Sequence, residues 1–248
     1  MSRSKTSSKI AGSDRKIVAS GRKIVVLTAP SGSGKTSIAH QLLERIPELR
    51  FSVSATTRPR RPHEQDGVDY HFVSLEEFER LRERGELLEY EEVYPGRFYG
   101  TLLSEVERSA KDGPVLLDIE VKGATNVKRA FRDESLVVFI RPPSMEELER
   151  RLLERGSEDD ESFRERVRRA RHELEYADRF DAVVVNDVLD RAVDETLALV
   201  QSFLQEQAEA AGMPTRPDAS LDGGVANGGT PSREDALSPK ENADDNQE

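Results

Sequence analysis

The sequence predicts an α/β protein in which helices cover both faces of a parallel β-sheet, with a small mixed α/β insert and a helical lid added to that core. Short apolar runs rich in β-branched residues alternate with longer segments of helical periodicity, which is the pattern of a parallel sheet. The first run leads into a helix through a loop of Gly and Ser. Two stretches, at about residues 51–104 and 144–176, interrupt the alternation and predict the insert and the lid.

A phosphate-binding loop follows the first predicted strand, at residues 24–28, and precedes a predicted helix at 37–46. Glycines in such a loop let backbone N–H groups point at an anion, and the helix start adds its positive dipole end. The loop lysine supplies a point charge for the outer phosphates, and the threonine hydroxyl can ligate Mg²⁺. The sequence therefore predicts a nucleoside triphosphate site. Its residues are Ala29 (where the usual pattern has Gly), Pro30, Ser31, Gly32, Ser33, Gly34, Lys35 and Thr36.

The insert is predicted to contain its own strands and helices. Ser74 with Glu77 matches a capping box at the start of one helix. Thr101 is predicted to cap another helix. The expected elements are strands at 51–54, 67–73 and 87–93, a helix at 74–84, a turn at 94–97 and a helix at 102–111. Residues 98–101 connect the turn to this last helix and are not assigned to an element.

Three arginines, Arg58, Arg60 and Arg61, crowd a loop that two prolines keep from being helical. A charge cluster of this kind is often only a solvated basic turn. The alternative is a phosphate clamp, because guanidinium groups bind phosphate oxygens bidentately. Close to a phosphate loop in an acidic chain, we favour the clamp.

Asp118 ends the next core strand, predicted at residues 114–120. A P-loop protein holds its Mg²⁺ and the water around it at this position. A buried carboxylate without a partner would be costly, so we interpret Asp118 as binding the metal through water, next to Thr36 as a direct ligand. The remaining elements are a helix at 122–131, a strand at 136–140, lid helices at 144–155 and 157–176, a strand at 182–186, and a closing helix from 187.

Composition narrows the classes of function and predicts disordered ends. The chain has 248 residues and a net charge of −11, of which +4 falls on residues 1–20 and −6 on residues 207–248. The remaining domain, residues 21–206, is therefore acidic, which argues against a nucleic-acid polymer as partner. Without cysteine, a long apolar run or a secretory signal, we expect a cytoplasmic protein without a membrane partner. Both end segments are expected to be disordered tails, and a homo-oligomer is compatible with the sequence.

Short segments across about residues 22–206 match one family in order and with nearly the family's spacing; they are 29–36, 52–58, 69–73, Glu89, 99–101, 117–118, 155–156, Arg166 and 185–187. In these segments the chain resembles guanylate kinase. The resemblance implies transfer of the γ-phosphoryl of ATP to GMP with Mg²⁺. The chain departs from the family pattern at Pro95, an extra residue, and at Glu120 and Lys122, where Asp and Gln are more common.

The resemblance also implies roles for residues at the matching positions. It implies that Arg58, Arg61, Tyr70 and Tyr99 hold the GMP phosphate, and that Ser54, Glu89, Thr101 and Asp118 face guanine. It further implies that Lys35, Arg151, Arg155 and Arg166 surround the transferring phosphoryl, and that Asn186 lies near adenine.

The chemistry of guanine agrees with this assignment. Guanine presents two neighbouring donors, which one carboxylate such as Glu89 accepts, whereas adenine would leave that carboxylate unpaired. Hydroxyls such as those of Ser54 and Thr101 can serve the guanine O6. The alternatives are a kinase for another nucleoside monophosphate and a non-catalytic guanylate-kinase-like module that binds proteins. A regulatory GTPase or ATPase has no support beyond the phosphate loop.

Overall fold

The computed structural model describes residues 23–154 and 160–210, and it confirms the predicted α/β class. Helices and strands alternate along the core, and additional strands lie between α1 and α3. The elements are β1 (Ile24–Thr28), α1 (Lys35–Arg45), β2 (Arg50–Phe51), β3 (Ser54–Thr56), β4 (His71–Phe72), α2 (Leu75–Glu83), β5 (Leu87–Tyr94), β6 (Arg97–Leu102), α3 (Leu103–Asp112), β7 (Val115–Asp118), α4 (Val121–Phe131), β8 (Ser135–Arg141), α5 (Met145–Glu154), α6 (Asp160–Leu174), β9 (Ala182–Val185) and α7 (Leu189–Ala210).

The core sheet has the strand order β2-β7-β1-β8-β9, and all neighbouring strands are parallel. Val25 and Leu27 of β1 pack with α1 and α7 on one face, and Ile24 and Val26 pack with α3 and α4 on the other. Because both faces are covered, the strands are continuous apolar runs. Leu27 is paired with Asp118, so the carboxyl ends of β1 and β7 lie side by side where the phosphate loop begins.

The insert forms a second sheet of order β4-β3-β6-β5, and its first strand corrects the prediction of one strand at 51–54. Arg50 and Phe51 pair with β7 at the edge of the core sheet, whereas Ser54 pairs with Thr101 in the second sheet. The chain thus changes sheets in the two residues between. The local sequence pattern favours an extended backbone throughout, but it does not specify which sheet each residue joins.

Two other predicted boundaries in the insert were wrong. Thr101 lies within β6 and does not cap α3, because its hydroxyl donates to the Glu89 carboxylate at 2.7 Å. The strand predicted at 67–73 is reduced to β4. The Gly67 N–H donates to the Tyr70 carbonyl at 2.8 Å, which closes a turn before that strand.

The predicted lid contains α5 and α6. Ser144 caps α5 as expected, since its hydroxyl accepts the Glu147 N–H at 3.2 Å. Leu148 and Leu152 of α5 form an apolar cluster with side chains of α6 that include Val167. This seam holds the two helices together.

Residues 1–22, 155–159 and 211–248 lie outside the described residues. The predicted tail at 1–20, residues 211–248 of the predicted C-terminal tail, and the predicted site residue Arg155 lie there. The closing helix α7 continues to Ala210, past the predicted domain end at 206, because its last residues are strong helix formers. In the part of the chain that the structure describes, no helix is both long enough and apolar enough to cross a membrane.

Candidate active site

The phosphate loop connects β1 to α1 with two glycines in the left-handed region. Gly32 has φ of 92° and Gly34 has φ of 87°, conformations that are costly for residues with a Cβ. Gly34 occupies the N-cap position of α1, and glycine has no side chain with which to cap it. The first N–H groups of α1 therefore have no side-chain cap at Gly34, and such groups can bind an anion.

Side chains from distant elements enclose this loop. The Asn186 side chain, just after β9, donates to the Ser33 carbonyl at 2.8 Å. A Cβ at Gly34 would overlap the same amide, and a Cβ at Gly32 would lie 3.1 Å from Leu148 of α5. The lid and the end of β9 thus pack directly on the loop, and the predicted adenine-side residue Asn186 supports the loop from behind.

A cluster of polar side chains lies between the loop and the end of β7 and consists of Lys35, Thr36 and Asp118. Lys35 is ion-paired with Asp118, and its ammonium also donates to the Ile119 carbonyl at 3.0 Å. Burial lowers the pKa of Lys35, but the negative charges of Asp118 and Glu120 outweigh that effect and hold its pKa above the usual value. The Thr36 hydroxyl donates to Asp118 at 3.2 Å. Lys35 is therefore charged, and two oxygen ligands stand next to it.

These oxygens suit a hard cation. Within residues 23–154 and 160–210, no three acidic or histidine side chains converge as a metal site. A cation beside Thr36 and Asp118 would therefore take most of its ligands from phosphate and water, as Mg²⁺ commonly does.

A second polar pocket lies between β5, β6 and α4. Glu89 is 4% exposed and accepts the Thr101 hydroxyl at 2.7 Å. Gly123 near the start of α4 leaves room for the Glu89 carboxylate against this helix, because a Cβ at Gly123 would overlap the carboxylate. Burial, together with the charges of Glu91 and Glu120, raises the pKa of Glu89 to about 7, although the hydrogen bond from Thr101 opposes the rise.

This pocket brings together predicted residues from both nucleotide sites. It is lined by Ser54, Tyr70, Glu89, Tyr99, Lys35 and Asp118, and also by Glu91 and Glu120. Tyr70 is protonated at neutral pH, and burial raises its pKa further above the usual value, so its hydroxyl is available as a donor. The structure therefore places the Glu89 carboxylate and the phosphate-loop lysine around one cavity.

Arg58 and Arg61 differ in their surroundings. Arg58 is buried and binds Glu64 bidentately, at 2.7 and 2.6 Å, and it also lies over the Tyr70 ring at 4.9 Å. The Arg61 side chain is 54% exposed, 3.9 Å from Glu64. Glu64 was not predicted as a site residue, although its spacing from two arginines in one loop was a usable signal. Because a guanidinium has more donors than one carboxylate accepts, Arg58 retains the capacity to bind phosphate.

The predicted lid arginines lie on two helices. The Arg151 guanidinium in α5 donates to the Asn186 carbonyl at 3.0 Å and to Glu147 at 2.7 Å. Arg166 in α6 forms a side-chain hydrogen bond with Tyr94 of β5. The sequence reasoning gave no role to Arg169, three residues after Arg166, which also contacts the insert.

Comparison with known proteins identifies the family. The family model described as guanylate kinase matches residues 21–207. A guanylate kinase of Salinibacter ruber is 63% identical over 183 residues, covering 74% of this chain and 97% of the relative. A guanylate kinase of Chlorobium luteolum is 51% identical over 183 residues, covering 73% of this chain and 92% of the relative. A crystal structure of guanylate kinase from Anaplasma phagocytophilum is 32% identical with a TM-score of 0.61, covering 78% of this chain and 97% of that one. The chain belongs to the guanylate kinase family.

Proposed function

We infer that this chain transfers the γ-phosphoryl group of ATP to GMP, giving ADP and GDP. The observation that carries this inference is the buried Glu89 carboxylate, which lines the same cavity as Lys35 of the phosphate loop. A carboxylate selects guanine, the loop holds a triphosphate, and a shared cavity brings acceptor and donor together. The absence of cysteine suits a reducing compartment, and we propose the cytoplasm.

The donor site is built on the phosphate loop. Backbone N–H groups of the loop and the start of α1 bind the phosphates of ATP, and Lys35 neutralises the outer ones. Guanylate kinases use ATP with a divalent metal, and we propose Mg²⁺ held by Thr36 and, through water, by Asp118. When bound, this ion supplies charge neutralisation on the phosphate oxygens. Asn186 supports the loop and faces the adenine side.

The acceptor site is built on the insert. Glu89 accepts the two neighbouring donors of guanine, and the hydroxyl of Ser54 serves O6. Thr101, also predicted to serve O6, donates its only hydroxyl proton to Glu89, so its role is to orient that carboxylate. The GMP phosphate binds to the predicted clamp, whose residues are Arg58, Arg61, Tyr70 and Tyr99. Glu64 orients Arg58 for this contact, because a bidentate ion pair fixes the plane of the guanidinium.

Transfer requires alignment and positive charge more than covalent participation by the protein. Lys35, Arg151 and Arg166 supply cations toward the equatorial oxygens, and we assign the same role to Arg155. Closure of α5 and α6 over the phosphates excludes water, so that the phosphoryl group passes to GMP and not to solvent.

The test is ADP formation from Mg-ATP with GMP, dGMP, AMP, UMP, CMP and dTMP, each supplied separately. Turnover confined to GMP and dGMP supports the proposal. Turnover with another nucleotide would contradict the assignment of Glu89 and Ser54 and indicate a different monophosphate kinase. ATP binding without turnover on any acceptor would favour the non-catalytic module.

A further inference from the structure

A buried ionic cluster joins the lid to the insert outside the residues assigned above. Arg169 of α6 donates to the Val93 carbonyl at 2.5 Å and to Glu91 at 3.1 Å, both in β5. Its Nε donates to Glu173 of its own helix at 2.6 Å. Lys122 at the start of α4 also pairs with Glu91, at 3.1 Å. We call Arg169 and Glu91, with these partners, the lid clasp.

Burying the charged groups of the lid clasp has a desolvation cost, so stability alone is a poor explanation for this contact. The side chain of Glu91 is 4% exposed, that of Arg169 is 19% exposed, and that of Glu173 is 8% exposed. The second carboxylate oxygen of Glu91 is buried and has no hydrogen-bond partner among the described residues. Apolar side chains of similar volume would often stabilise such an interface as well or better. What the ion pair adds is a fixed geometry between two elements.

The positions of the clasp residues connect the parts of the proposed reaction. Arg169 follows Arg166 by three residues in α6, so both lie on neighbouring parts of one helix face. Glu91 follows Glu89 by two residues in β5, so both side chains point to the same face of the strand. Arg169 also reaches Glu120 at 3.5 Å, two residues beyond Asp118. One guanidinium thus contacts the insert and the segment after β7 from the lid.

We propose that Arg169 is a positioning residue that fixes α6, and with it Arg166, relative to the GMP-binding strand β5. This inference rests on the proposed transfer to GMP. A nucleotide bound against Glu89 orders β5. Because the lid clasp connects β5 to α6, this ordering also fixes the position of Arg166 next to the ATP phosphates. The two nucleotides should therefore bind cooperatively, with each increasing the affinity for the other by the same factor.

The test measures this coupling factor and the steady-state constants in full-length variants. The affinity for GMP is measured by calorimetry with and without a non-hydrolysable ATP analogue, for wild type, Arg169→Gln, Arg169→Lys and Glu91→Gln. Arg168→Gln is the matched control, because the exposed Arg168 is adjacent in the same helix. Arg169→Gln is expected to reduce the coupling factor and kcat by at least about fivefold, the lower end of typical coupling between sites. The affinity for the ATP analogue alone should stay within about twofold, because Arg169 does not contact the phosphate loop.

Other variants separate positioning from simple loss of stability. Arg169→Lys keeps the charge but lacks the planar fork, so it should restore only part of the coupling. The double variant Arg169→Gln with Glu91→Gln should lose no more than the more affected single variant, because both changes break one contact. If Arg169→Gln does not fold, Glu91→Gln gives the same test, since it leaves Arg169 held by Glu173.

The outcomes distinguish this inference from the proposed function. A wild-type protein that phosphorylates GMP, together with an Arg169→Gln variant that matches Arg168→Gln in kcat and coupling, would overturn the clasp alone. A lower melting temperature with unchanged coupling would also overturn it and make the cluster purely structural. A wild-type protein inactive on GMP would overturn the proposed function and the clasp with it.

Discussion

Lowering the pH should weaken GMP binding through one carboxyl group. Burial, and then the charges of Glu91 and Glu120, raises the pKa of Glu89 to about 7 in the free protein. The two guanine donors require an ionised carboxylate, and their hydrogen bonds stabilise that form in the complex. Below pH 7 most of the free protein carries a proton on Glu89 that must be released before GMP binds. The affinity therefore falls as the pH is lowered and reaches its plateau above pH 7.

The size of the effect follows from the ionised fraction. One pH unit below the pKa only about a tenth of the carboxyl groups are ionised, and a shift of one unit is worth about 1.4 kcal/mol. The apparent Kd for GMP should therefore rise about tenfold between pH 8 and pH 6, because only the competent fraction binds. Binding should release nearly one proton per GMP at pH 6 and very few at pH 8.

Calorimetry at pH 6, 7 and 8, in buffers with different ionisation enthalpies, measures the Kd and the number of protons released. The GMP phosphate also titrates near pH 6, so the control is Glu89→Gln, which keeps that titration and removes the carboxyl group. The difference between wild type and variant isolates Glu89. Identical pH profiles for the two proteins would show that Glu89 does not control the pH dependence of GMP binding.

Three further predictions concern the loop, the clamp and the pocket. Gly34→Ala should reduce ATP affinity at least about tenfold and lower the melting temperature, because φ of 87° is strained for alanine; unchanged ATP affinity by calorimetry would contradict this. Glu64→Gln should lower the free energy of unfolding at pH 7 by about 3 kcal/mol, because it leaves the buried guanidinium of Arg58 without its charged partner. The Arg58 contact lowers the pKa of Glu64 from 4.5 to about 2, so this stabilisation is present above pH 4.5 and is lost as the pH falls to 2. Denaturant titrations of both proteins should therefore converge toward pH 2, and a constant gap would refute the linkage. Thr101→Val removes the hydrogen bond that lowers the pKa of Glu89, so the pH midpoint of GMP binding should move upward; a midpoint that stays or falls, measured by the same calorimetry, would argue against that contact.

The core was predictable because its signals are local. A β-branched run such as Ile24–Thr28 is apolar on both faces, and a parallel sheet is the structure that buries both faces. The phosphate loop was predictable for the same reason, since its glycines, Lys35 and Thr36 are contiguous in the sequence. Capping by Ser144 depended only on the next three residues.

The errors arose where the outcome depends on distant partners. Threonine is a residue type that often caps helices, but the Thr101 hydroxyl donates to Glu89 on the paired strand. Residues 51–54 were predicted as one strand, but Phe51 pairs with β7 in the core sheet and Ser54 pairs with β6 in the second sheet. These pairing partners are distant in the sequence. Arg169 was one of several arginines in a polar helix, and only the tertiary structure shows that it enters the insert. Glu91 carried a usable signal, because the two-residue period of β5 places it beside Glu89.

The most direct test of guanine selection by Glu89 compares GMP with inosine monophosphate as phosphoryl acceptors in wild type and Glu89→Gln. Inosine monophosphate lacks only the exocyclic amine, so it offers the Glu89 carboxylate one donor where GMP offers two. We expect wild type to prefer GMP by about 10⁴-fold in kcat/KM, the scale on which a site built to bind a polar group rejects the analogue without it. In Glu89→Gln the preference should shrink to within about tenfold while ATP affinity is retained. Equal use of the two acceptors by wild type, or an undiminished preference in the variant, would contradict the claim that Glu89 selects guanine.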